Sequence, residues 1–158
     1  ISKFFDKTYT LEQGYVEGGD ILRINNHFII GISGRTNETG AKNLINIIEK
    51  NGGTSEIAIT PENTLHFKSE CSLLDEETIL ATDNLIKSDF FNKKYRIIKV
   101  PEGEETGANC LRINEHLLIP KGYDRLLDLV SKDYKIRVLD VTEMEKVDAG
   151  LSCLSLRW

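Results

Sequence analysis

Residues 22–30 read LRINNHFII, and nearly the same letters return at residues 111–119 as LRINEHLLI. In the first copy Ile21, Leu22, Arg23 and Ile24 are β-rich, Asn25 and Asn26 signal a turn, and Phe28, Ile29 and Ile30 resume the strand chemistry. Two such runs across so short a turn predict a β-hairpin. A helix should follow. Thr36 or Asn37 is placed to cap it, Ala41, Leu44, Ile45 and Ile48 share one face, and Gly52 supplies the stop. A short strand over residues 56–60 completes the unit.

The order strand, strand, helix, strand then recurs. Residues 65–74 read as mostly strand, Asp75, Glu76 and Glu77 turn the chain, and Ile79, Leu80 and Ala81 return. Thr82 or Asp83 is expected to cap a short helix through Leu85, Ile86 and Phe90, before a strand over residues 95–100 that stops at Pro101. After the acidic loop 102–105 comes the second copy of the hairpin. A helix over 123–131, a strand over 136–139 and a helical turn over 142–145 follow it. Residues 1–15 show no clear period and read as a connector or a strand remnant. A repeat of this kind marks one supersecondary unit used several times, each burying a face against its neighbour. The approximate units are 16–61, 62–101 and 107–142, with a closing segment 143–158, in one domain spanning 1–158. Stacked radially, they would turn one edge of every sheet toward a common centre, where a site is expected.

Composition narrows the possible partners. A chain of 158 residues, 40% hydrophobic and 28% charged, has the make-up of one soluble globular domain with its own core. Its net charge of -5 offers no basic stripe for phosphates, so nucleic acid is not an expected partner, whereas a cationic ligand is compatible. No apolar run is long enough to span a bilayer, so no membrane partner is expected. Cys71, Cys110 and Cys153 are too widely spaced for a disulfide framework or a zinc site, which places the chain in a reducing cytosol. The chain opens on Ile1, so either processing or a beginning beyond this sequence is expected.

Four stretches hold the candidate chemistry. The tail, residues 146–158, reads KVDAGLSCLSLRW and carries Cys153 after a short apolar segment introduced by Gly150. A free cysteine is among the most buried residue types; as a nucleophile it needs a neighbour that lowers its pKa and a proton donor for the leaving group. VEGGD supplies Glu17 and Asp20 around Gly18 and Gly19, and reads either as a turn with solvated carboxylates or as backbone held close to a ligand. TLHFK supplies His66, which strand alternation would point away from Leu65 and Phe67, toward a cleft. His27 and His116 occupy matching positions of the repeat and read as hairpin residues. SGRTN supplies Arg35, a surface residue or a two-pronged clamp for a carboxylate.

Taken in order, VEGGD, SGRTN, TLHFK, GANC and KVDAGLSCLSLRW resemble the dimethylarginine dimethylaminohydrolases of the guanidine-modifying (pentein) superfamily. The resemblance covers nearly all of the chain from Tyr15 onward. It implies an α/β fold, a five-bladed α/β propeller of which about three units are present. It also implies hydrolysis of methylated arginine, asymmetric dimethylarginine or monomethylarginine, to citrulline and a methylamine without metal or organic cofactor. In that scheme Cys153 attacks the guanidinium carbon, His66 protonates the departing amine and then activates water, and Glu17 holds the guanidinium and orients His66. Arg35 matches the residue that binds the substrate carboxylate, and Val147 the one whose backbone carbonyl receives the α-amine; Asp20 is grouped with these substrate-binding residues. Arginine and agmatine deiminases of the superfamily typically carry an aspartate two residues after the histidine. Here that position is Lys68, which favours the dimethylarginine enzymes. The unit count implies that the chain is the C-terminal part of a longer protein, with open sheet edges that invite a homodimer or a missing N-terminal half. The alternatives are a related amidinohydrolase or amidinotransferase on another guanidine compound, or a non-catalytic propeller remnant that binds a partner.

Overall fold

A computed structural model describes residues 3–91 and 94–155. Strand β1 (Ile21–Ile24) pairs antiparallel with β2 (His27–Ile32). The turn between them holds Asn25 at a φ of 54°, a left-handed value that asparagine tolerates because its short side chain can bond locally. Helix α1 (Glu38–Lys50) carries the chain back, and β3 (Thr54–Ile59) joins β2 in parallel, the crossover that a parallel pair requires.

The same connection is made twice more. Strands β4 (Cys71–Leu73) and β5 (Thr78–Ala81) are antiparallel, and α2 (Asp83–Lys87) leads to β6 (Arg96–Lys99), parallel to β5. Strands β7 (Leu111–Ile113) and β8 (His116–Pro120) repeat the hairpin, and α3 (Asp124–Val130) leads to β9 (Lys135–Leu139). A short α4 (Thr142–Glu145) precedes the tail. The result is an α/β arrangement of three mixed, three-stranded sheets, ordered β1-β2-β3, β4-β5-β6 and β7-β8-β9.

The helix ends follow their sequence signals. Asn37 caps α1 by accepting the Gly40 amide at 2.8 Å, and Thr82 caps α2 by accepting the Leu85 amide at 3.3 Å. Beyond α1, Gly52 takes a φ of 82°, which L side chains rarely adopt.

Alternation along β2 sends Ile29 and Ile30 to opposite faces, and both are fully buried. Ile30 packs with Ala41 and Ile48 under α1. Ile29 joins Leu22 and Ile24 against Phe67, Ile79 and Leu85, which fuses the first sheet to the second unit. Leu74, Leu80 and Val100 meet Leu117, Ile119 and Leu126 in the same way between the second and third. Each such side chain contributes about 1.5–3 kcal/mol by leaving water, so the units are held by one another's faces.

Two expectations need correction. Residues 65–74 are not mostly strand: only Cys71–Leu73 is, and Phe67–Ser69 forms a 3₁₀ turn. Phe67 is fully buried against the rings of Phe90 and Phe91, with centroids 6.1 and 6.0 Å away, and this anchor turns the chain before a ladder can start. Helix α2 stops at Lys87, short of Phe90, because Asp89 adopts a φ of 59° and Phe90 joins the aromatic cluster. Among the described residues no helix is long and apolar enough to cross a membrane. Ile1 and the final Leu156, Arg157 and Trp158 of the tail motif lie outside the described residues.

Candidate active site

Glu17 sits in extended backbone just before a 3₁₀ turn, Gly18–Asp20, that leads into β1. Its amide donates to Thr36 Oγ1 at 3.1 Å, and its carbonyl accepts the Asp20 amide at 3.0 Å, so the residue is fixed on both sides. The carboxylate then reaches two partners. Oε2 lies 2.7 Å from His66 Nε2, and Oε1 accepts from Arg35 Nη1 at 3.3 Å. An ionised carboxylate only accepts, so the Nε2 position of His66 carries the proton. The bond from His66 lowers the Glu17 pKa most; loss of hydration opposes it, and Arg35 adds to the lowering.

His66 owes its place to its neighbours on either side. Phe67 behind it is locked in the aromatic cluster, and the imidazole lies against Gly19. A Cβ at Gly19 would come within 2.5 Å of the ring, so only glycine lets the two approach. The second glycine of VEGGD thus makes room for the histidine, while a Cβ at Gly18 would meet nothing.

Arg35 rides a tight turn in which Ser33 and Thr36 form a bridge, and its amide donates to Ser33 Oγ at 2.9 Å. The side chain is exposed, so the ion pair with Glu17 is a weak tether that a ligand carboxylate can compete for.

Asp20 does not face solvent or a ligand space. It is fully buried, and its carboxylate accepts from Ser33 Oγ at 2.7 Å, Thr36 Oγ1 at 2.7 Å and the Phe67 amide at 2.8 Å. Protein donors engage both of its oxygens, so within the fold its carboxylate is committed to Ser33, Thr36 and Phe67.

Of the three thiols, Cys71 and Cys110 are buried and Cys153 is exposed. Burial pushes the Cys71 thiol far up and the Cys110 thiol up to about 12, so neither supplies thiolate near neutrality. Cys153 sits in a turn that Leu151, packed with Leu111 and Val141, pins at one end. Asn109 holds the same stretch: Oδ1 accepts the Ser152 amide at 2.9 Å, and its amide group abuts Gly150, where a Cβ would meet it at 2.4 Å.

Direct bonds therefore join Glu17, His66 and Arg35, with Asp20 behind them. Among the described residues Cys153 makes no hydrogen bond to that cluster. A cavity of about 550 Å³ lies nearby: Gly18, Lys68 and Ser152, sequence neighbours of Glu17, His66 and Cys153, are on its wall, whereas Glu17, His66, Arg35 and Cys153 themselves are not. Val147 is in the exposed turn after α4 and does not line that cavity. Ser33 and Asn109 were not singled out from sequence, and Thr36 only as a possible helix cap. The only signal was the clustering of small polar residues beside Arg35 and inside GANC. Among the described residues no group of three or more His, Cys, Asp or Glu side chains is arranged to hold a metal ion.

A family model described as arginine deiminase matches residues 2–118. The chain is 37% identical over 146 residues to the dimethylarginine dimethylaminohydrolase of Pseudomonas aeruginosa, covering 92% of this chain and 57% of that protein. It is 30% identical over 151 residues to the enzyme of the same name from Streptomyces coelicolor, covering 92% and 55%. A solved structure of a mutant of the P. aeruginosa enzyme complexed with citrulline superimposes with a TM-score of 0.87 at 36% identity, over 93% of this chain and 57% of that one. The chain thus spans a little over half the length of the curated relatives it matches.

Proposed function

Because the chain belongs to the arginine deiminase family, we propose that it supplies the nucleophile, the histidine and a guanidinium-binding carboxylate of a hydrolase for methylated arginine. The observation that carries this reading is the 2.7 Å contact between Glu17 and His66, beside a cavity whose wall includes Gly18, Lys68 and Ser152, the last next to the exposed Cys153. The remaining units, in our reading, belong to the part of the relatives' length that this chain does not span, and together they form a five-bladed propeller around the cavity.

The chemistry follows from the groups present. A guanidinium spreads its charge by resonance and resists attack, so it needs a strong nucleophile and a carboxylate to hold it. The Cys153 thiolate bonds to the guanidinium carbon. As the tetrahedral adduct collapses, the C–N bond breaks and His66 gives a proton to the departing methylamine nitrogen. With Nε2 committed to Glu17, Nδ1 is the nitrogen that delivers it. His66 then takes a proton from water, the hydroxide adds to the S-alkylthiouronium carbon, and the C–S bond breaks to leave citrulline and free Cys153. Glu17 stabilises the charged imidazole and faces the guanidinium. Arg35 exchanges Glu17 for the substrate carboxylate, and the Val147 carbonyl receives the α-amine. Lys68 on the cavity wall puts a cation where deiminases of the superfamily typically carry a gripping aspartate, which supports a methylated substrate over plain arginine.

The test is citrulline release by the longest natural form of the protein from asymmetric dimethylarginine, with arginine and Cys153→Ser alongside. Release from the methylated substrate, abolished by the substitution, is expected. Release from arginine alone would move the reading to a deiminase, and silence would leave a binding remnant.

A further inference from the structure

A fully buried carboxylate is costly unless its oxygens are satisfied, and Asp20 is satisfied in a directed way. The Arg35 amide donates to Ser33 Oγ, so that hydroxyl's own proton is free to point at Asp20 Oδ2. The Glu17 amide donates to Thr36 Oγ1, whose proton likewise goes to Oδ2. The Phe67 amide, next to His66 in the chain, donates directly to Oδ1. Donors from two segments far apart in sequence, residues 33–36 and Phe67, end on these two oxygens. The first carries Arg35 and holds the Glu17 amide through Thr36, and the second carries His66 next to Phe67.

We propose that Asp20 is a positioning residue that sets the spacing of Glu17, Arg35 and His66 through Thr36, Ser33 and the Phe67 amide. The inference rests on the reading of those three as site residues, and it replaces the substrate contact expected of Asp20. A carboxylate suits this task because it only accepts, and every group aimed at it is a donor. An asparagine would keep the size but turn an NH2 group toward a donor, leaving at least one segment without its anchor. The two hydroxyls also divide the work: Ser33 serves the arginine that meets the substrate carboxylate, and Thr36 serves the carboxylate that orients the histidine.

That division gives the test, made in the longest natural form of the protein with Ser33→Ala, Thr36→Val, Thr36→Ser and Asp20→Asn. Ser33→Ala should raise KM for the methylated substrate roughly fivefold, about the worth of one neutral hydrogen bond, and change kcat less. Thr36→Val should lower kcat by a similar factor and change KM less, while Thr36→Ser, which keeps the hydroxyl, should stay close to wild type. Asp20→Asn should disturb both constants. If it does not fold, the hydroxyl variants still decide the matter. In parallel, NMR of the amide protons should show Arg35 moving in Ser33→Ala, and Glu17 moving in Thr36→Val. Parallel falls in all constants that track lost stability, or amide protons that stay in place, would overturn the proposal. A wild-type protein that turns over no methylated arginine would sink the proposed function instead, and the amide shifts would still judge the positioning.

Discussion

At the scale of single residues, the three cysteines separate by surroundings rather than by sequence. Each has apolar letters nearby, but burial keeps Cys71 and Cys110 protonated far above neutrality, whereas Cys153 sits on an exposed turn. A raised pKa leaves the thiol form dominant until the pH climbs to that value, and only thiolate alkylates readily. Iodoacetamide at mildly alkaline pH should therefore modify Cys153 in the folded protein well before the other two, by peptide mass mapping. Equal labelling of Cys71 or Cys110 before unfolding would contradict this placement. Glu17, His66 and Arg35 were legible as candidates because few residue types perform such chemistry. The groups that hold them were not. Serine and threonine hydroxyls are common, and nothing local in SGRTN says that two of them will turn inward to one carboxylate.

At the scale of elements, the hairpins, the crossover helices and their caps could be read because their determinants lie within a few residues. The pairing of β7 with β8 follows the same letters as that of β1 with β2. The segment around His66 could not be read this way. Its apolar letters suit a strand, but tertiary contacts of Phe67 with Phe90 and Phe91 impose a turn, and the imidazole takes its direction from Gly19 instead of from alternation. Asn37 shows how a cap can serve more than its helix. Its Oδ1 accepts both the Gly40 amide at 2.8 Å and the Tyr15 amide at 3.2 Å, so it also ties down the strand of backbone that leads to Glu17. Asn37→Ala is expected to cost about 1 kcal/mol of stability, measured by urea unfolding. An unchanged midpoint would show that water replaces both bonds without loss.

At the scale of the whole molecule, three sheets are fused through shared cores, and the cavity lies where their first strands converge: its wall includes Leu22 of β1, Ser72 of β4 and Leu111 of β7. The letters announced the repeat, but not which faces of neighbouring sheets would pack, because period-2 patterns state that a face is buried without naming its partner. The proposed site depends on this packing, since the histidine and its carboxylate sit around the first two units and the cysteine in the segment after the third. The most direct measurement is to quench the longest natural form of the protein with acid during turnover of asymmetric dimethylarginine and to map covalent adducts by mass spectrometry. The account predicts an S-alkylthiouronium adduct on the peptide containing Cys153, accumulating with substrate and absent in Cys153→Ser. Citrulline formed with no adduct on Cys153, or with the adduct on Cys71 or Cys110, would contradict it.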